Sequence, residues 1–77
     1  MLQQLKDLID SGGDIEFSVC GKKYTILPWT DSGIVIGPQG SDDDQTFSSS
    51  DDLLDGYLID GIPLRKLNHK IKILFHA

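Results

Sequence analysis

Apolar residues open the chain at helical spacing. Leu2, Leu5, Leu8 and Ile9 fall on one side of a 3.6-residue turn. Ser11-Gly12-Gly13 then supplies the left-handed residue that commonly closes a helix, so the pattern predicts a helix over residues 2–11. The period next changes to two. Ile15, Phe17 and Val19 alternate with Glu16, Ser18 and Cys20, the mark of a strand with one buried face. Gly21-Lys22 reads as a two-residue turn with glycine at its first central position, and Lys23 to Leu27 as the returning strand. Pro28 has no N–H to give a ladder, so the strand is expected to end there. Ile34-Val35-Ile36 makes a compact third strand, and three antiparallel strands are about the minimum for a stable sheet.

Gly37 to Asp44 reads as a loop, rich in Gly, Pro, Ser and Asp. Gln45-Thr46-Phe47 is a short edge strand. Ser49 with Asp52 three positions on resembles a capping box, with Asp in place of the usual Glu. The short helix it starts is apolar at Leu53 and Leu54 and stops at Gly56. Tyr57-Leu58-Ile59 is extended and Asp60-Gly61 is a turn. Ile62-Pro63 is read as opening a second short helix, with Leu64 and Leu67 inward and Arg65 and Lys66 outward. Ile71, Ile73 and Phe75 alternate with Lys72, Leu74 and His76, so the chain closes on a strand. The fold class is α+β: a small antiparallel sheet of three to five strands, an N-terminal helix packed on one face, and two short helices. Seventy-seven residues (1–77) make a single domain with a thin core and little room for a deep active site.

Charge adds what the apolar pattern does not show. Eight of the twelve acidic residues lie between Asp31 and Asp60, a stretch with no Lys or Arg. From Gly61 onward the pattern reverses to Arg65, Lys66, Lys70 and Lys72, with no acid. The net charge of −5 disfavours nucleic acid and anionic membrane as partners and favours a basic protein surface. The candidate contact residues are Asp31, Asp42, Asp43, Asp44, Asp51, Asp52 and Asp55. Short carboxylates held near the backbone can occupy a groove that evolved for phosphates. The same groups also have a bland reading as a solvated loop and helix-cap carboxylates.

Other chemistry finds little support. An EF-hand reading from Asp42 fails at Thr46, Phe47 and Leu53, which leaves only looser divalent-ion binding open. His69 and His76 have no ligand spacing around them and are read as surface or half-buried histidines. Cys20 is read as a small packing residue on the strand face opposite Phe17. No phosphate-binding glycine motif, catalytic residue, metal site or cofactor is expected. Trp29 either caps the core or stands exposed as a binding anchor. The basic clusters are expected to pair with the Asp-rich segment or to face solvent. One cysteine, no signal-like N-terminus and no long apolar run set the expected location as the cytoplasm.

Asp14-Ile15-Glu16-Phe17 with Gly21-Lys22-Lys23-Tyr24-Thr25-Ile26, and Ile59-Asp60-Gly61-Ile62-Pro63-Leu64-Arg65, resemble segments of small acidic proteins carried by phages and mobile elements of Gram-positive bacteria. Some proteins of that kind are anti-CRISPR proteins, and several of those block the DNA-binding groove of a Cas nuclease. The resemblance implies a non-enzymatic inhibitor of a nucleic-acid-binding host protein, acting by nucleic-acid mimicry in the host cytoplasm. The alternative it leaves is a self-associating structural or accessory phage protein, since acidic and basic patches on one chain permit head-to-tail contacts.

Overall fold

The computed structural model describes residues 2–76, apart from the side chains of Leu2 and Trp29. Helix α1 spans Leu2–Asp10 and buries Leu5 and Ile9 completely. It closes where the spacing predicts, with the Ser11 N–H donating to the Asp7 carbonyl at 3.0 Å and Gly12 at φ 88°. Strands β1 (Ile15–Val19), β2 (Lys22–Thr30) and β3 (Gly33–Pro38) follow as an antiparallel meander, with β4 (Gln45–Phe47) on the β3 edge. Helix α2 (Ser50–Gly56) leads to a two-stranded ribbon of β5 (Leu58–Ile59) and β6 (Ile62–Pro63). A 3-10 helix over Leu64–Lys70 then delivers the last strand, β7 (Ile71–His76), to the free side of β1. The sheet order is β4-β3-β2-β1-β7, antiparallel throughout. The architecture is the expected α+β one.

One face of this sheet is the core. Ile15, Phe17, Tyr24, Ile26, Ile34 and Ile36 project from it and are buried. The N-terminal helix packs there as predicted and shares the face with α2, through Leu53 and Leu54, and with the 3-10 helix, through Leu64 and Leu67. Aromatic packing fixes one end of the core. Phe17 stacks on Tyr24 with ring centroids 5.4 Å apart, and Tyr24 meets Tyr57 edge-on at 6.1 Å. Among the described residues the opposite face carries no helix.

Several local expectations are corrected. Val19 pairs with Lys22, so the first hairpin turns on Cys20-Gly21 and not on Gly21-Lys22. Both turn residues have positive φ, 52° and 82°, the sign pattern of the type I′ turns that match strand twist. Cys20 is therefore an exposed turn residue and not a packing residue. Pro28 does not end β2. The ladder is irregular between Leu27 and Thr30 and resumes at Thr30–Gly33, so the proline sits where no ladder N–H is needed. Strand β3 begins at Gly33 and reaches Pro38, which moves the start of the acidic loop to Gln39. Ile62-Pro63 forms β6, and Pro63 caps a helix that begins only at Leu64.

The last strand carries the most informative departure. Phe17 pairs with Ile73, but Glu16 pairs with Phe75, so Leu74 is an extra residue. That bulge moves Phe75 from the core face to the open face, where it is 52% exposed. The choice for Trp29 between core cap and exposed anchor lies outside the described residues. No helix among the described residues is long and apolar enough to cross a membrane.

Candidate acidic binding surface

Helix α2 begins because Ser49 satisfies one of its free N–H groups: the Ser49 Oγ accepts from the Asp52 N–H at 3.1 Å. The second half of a capping box does not form. The Asp52 carboxylate instead accepts from the Ser48 hydroxyl at 2.6 Å, because Asp is shorter than the usual Glu. Asp51 and Asp55 stand four residues apart and so share one face of the helix. The Arg65 guanidinium lies across both, with Nη2 donating to Asp51 Oδ1 at 3.1 Å and Nε to Asp55 Oδ1 at 2.5 Å. Lys6 reaches Asp51 from α1 at 3.0 Å. The hydrogen bond from Lys6, with that from Arg65, holds the Asp51 carboxyl below the ordinary carboxylate range. These acids thus tie α1, α2 and the 3-10 helix together on the surface. The expectation that the basic tail pairs with the Asp-rich segment holds for Arg65; Lys66, Lys70 and Lys72 are exposed and make no ion pair among the described residues.

Asp42, Asp43 and Asp44 have a different setting. All three are exposed, and none has an ion-pair partner among the described residues. Their loop is nevertheless shaped by hydrogen bonds. The Gln39 N–H donates to the Lys23 carbonyl at 3.0 Å, the Ser41 N–H to the Pro38 carbonyl at 3.2 Å, and the Asp43 N–H to Ser41 Oγ at 3.1 Å. The Gln39 amide also donates to Glu16 Oε1 at 2.8 Å across the open sheet face. Asp44 folds back over Gly37, whose missing Cβ leaves room for its carboxylate.

Asp31 stands apart. It lies in the β2–β3 turn, at the opposite end of β3 from the loop, which a six-residue strand separates by roughly 17 Å. The seven candidates therefore form three groups: Asp31 alone, the free loop triplet, and the helix trio, of which Asp51 and Asp55 are already neutralised. Asp60 was not among the candidates. It sits in the β5–β6 turn at the loop's end of the sheet, where Tyr24 and Tyr57 feel the nearby acids. Burial pushes the Tyr57 phenol up to about 12, with further contributions from Tyr24, Asp44 and Asp43. Asp60 could have been anticipated from its acid-glycine turn dipeptide beside the acidic stretch.

His69 and His76 are exposed. Among the described residues no group of three or more His, Cys, Asp or Glu is placed to hold a metal ion, the Asp42–Asp44 run included. Comparisons with protein-family models, with curated proteins and with solved structures found no match to this chain.

Proposed function

We propose that this chain is a non-enzymatic binding protein that inhibits a nucleic-acid-binding host protein by presenting the Asp42–Asp44 loop to a basic groove. The observation that carries the reading is the contrast within the acidic segment. Asp51 and Asp55 are committed to Lys6 and Arg65, while the loop carboxylates are exposed, unpaired and held on a hydrogen-bonded turn. Three consecutive residues span at most about 10 Å. One nucleic-acid strand carries a phosphate every ~3.4 Å of helix axis, so the loop matches about three nucleotides of one strand and not a long duplex. The resemblance to mobile-element proteins supplies the partner class, a CRISPR effector in the host cytoplasm. Its basic groove gains a carboxylate for each phosphate displaced, and steering by opposite charge speeds the encounter.

A second reading is favoured by one feature of the sheet. Its two edges carry opposite charge: β4 follows Asp42–Asp44, and β7 carries Lys72 directly after Lys70. Copies could join head to tail along these edges. One experimental series separates the two. Inhibition of DNA binding by a Cas nuclease is measured against salt for wild type and for D42N/D43N/D44N, with sedimentation of the inhibitor alone at the same salt concentrations. The first reading requires the triple variant to weaken inhibition and to flatten its dependence on salt. Unchanged inhibition refutes it. The second requires low-salt association that the triple variant loses, and a monomer at every salt concentration removes it.

A further inference from the structure

Two tight turns lie at the same end of the sheet, Cys20-Gly21 between β1 and β2 and Asp60-Gly61 between β5 and β6. A groove of about 220 Å³ runs between them. Its floor is apolar, made by Val19, Ile59, Ile62 and Leu67. Lys22, Lys70 and Asp60 also line it, so cations outnumber acids here although the chain as a whole carries −5. Neither lysine forms an ion pair among the described residues, even with Asp60 lining the same groove.

Tyr24 adds a directional group. It is 3% exposed and its ring is fixed between Phe17 and Tyr57. No hydrogen bond engages its hydroxyl among the described residues. Tyr24 lines the groove, and its electrostatic neighbours are Asp60 and Cys20, so the hydroxyl end faces the groove and not the core. No buried side-chain oxygen among the described residues lacks a partner, so this hydroxyl meets solvent in the groove and is open to a ligand's acceptor. Cys20 at φ 52° and Asp60 at φ 54° line the groove as the first residues of these two hairpin turns.

We propose that the groove binds a small amphipathic carboxylate, its head bonded by Lys22, Lys70 and the Tyr24 hydroxyl and its alkyl tail laid on the Val19–Ile59–Ile62–Leu67 floor. Charge decides the head: two unpaired ammonium groups and a hydroxyl donor suit an anionic acceptor. Volume decides the tail. The groove, at about 220 Å³, admits a short alkyl chain such as that of hexanoate and not a long fatty acyl chain. The site is separate from the Asp42–Asp44 loop, and replacing those three aspartates leaves it intact.

The test titrates the full chain with sodium hexanoate and follows the backbone amides by NMR, with acetate and hexylamine as controls. Hexanoate is expected to give saturable shifts centred on Cys20, Lys22, Asp60 and Ile62, while acetate lacks the tail and hexylamine carries the wrong charge. The variant Lys22→Ala/Lys70→Ala changes two exposed side chains, keeps the fold, and should bind hexanoate about tenfold or more weakly. Tyr24→Phe keeps the ring packing and should lose a few-fold. No saturable response to hexanoate, an equal response to hexylamine, or unchanged affinity in the double lysine variant overturns the proposal.

Discussion

Gly33 is where a single methyl group should do the most local damage. It follows the β2–β3 turn at φ 115°, a conformation that side-chain-bearing residues avoid. A Cβ there would stand 2.7 Å from the Phe47 carbonyl oxygen, a backbone atom of the neighbouring strand, and 3.3 Å from the Thr46 methyl. Gly21 is the matched control: its φ is also positive, at 82°, but a Cβ there meets nothing within 4 Å. Gly21→Ala should therefore cost only the conformational penalty of about 1–2 kcal/mol. Gly33→Ala adds the displacement of β4, which has only three residues and pairs Phe47 with Ile34. Losing one ladder hydrogen bond there adds about 1 kcal/mol, for a total near 3 kcal/mol. A domain of this size has roughly 4–12 kcal/mol to lose, so both variants fold and can be compared by urea denaturation. At about 4–8 °C per kcal/mol, Gly33→Ala should melt well below Gly21→Ala. Hydrogen exchange should quicken in β4 in the first variant only. If the two substitutions cost the same within about 0.5 kcal/mol, the close approach of Phe47 is not what demands a glycine.

Ser49→Ala removes the acceptor for the Asp52 N–H and should cost about 1 kcal/mol in urea denaturation, while Ser49→Asp keeps most of it. The Tyr57 phenol, raised to about 12 in the fold against an ordinary 10.0, is held neutral by burial. Its contribution to stability is full below pH 10 and is lost as pH rises from 10 towards 12. Alkaline unfolding followed by circular dichroism should show that decline, and Tyr57→Phe should flatten it, leaving the smaller slope of Tyr24, whose phenol burial also raises.

Periodicity made most of the fold readable, because each strand buries one face and each helix one stripe. Phe17 and Ile26 are found where alternation puts them, and Leu64 and Leu67 point inward although their helix is 3-10 in type. What alternation cannot show is the register at which strands meet. The Leu74 bulge depends on how β7 aligns with β1, more than fifty residues away in sequence, so alternation alone does not show that Phe75 lies on the open face. The first hairpin was displaced by one residue for a related reason. Glycine was placed at the first turn position, but pairing of Val19 with Lys22 gives that position to Cys20, a residue with no strong preference for positive φ. The acidic segment was legible as composition, and its division into three groups was not. That division arises from long-range contacts: Lys6 with Asp51, 45 residues apart, and Arg65 with Asp51, 14 apart.

The same contacts determine what a partner meets. Net charge suggests a uniformly acidic molecule with a compensating tail, yet the compensation is local. Arg65 leaves the basic tail to settle on α2, with Lys6 arriving from α1, and these two cations account for Asp51 and Asp55. Of the rest of the tail, Lys66 and Lys70 lie on the 3-10 helix and Lys72 on the β7 edge, while the unpaired loop triplet precedes the β4 edge. Four inter-strand steps of about 4.8 Å separate those edges by roughly 19 Å. The Debye length at physiological ionic strength is about 8 Å, so each edge is screened from the other by more than two such lengths. A protein docking at the loop therefore meets three carboxylates with little correction from Lys72 on the far edge. The basic tail weakens an acidic contact only where it touches one, and among the described residues it does so through Arg65 on α2, away from the loop.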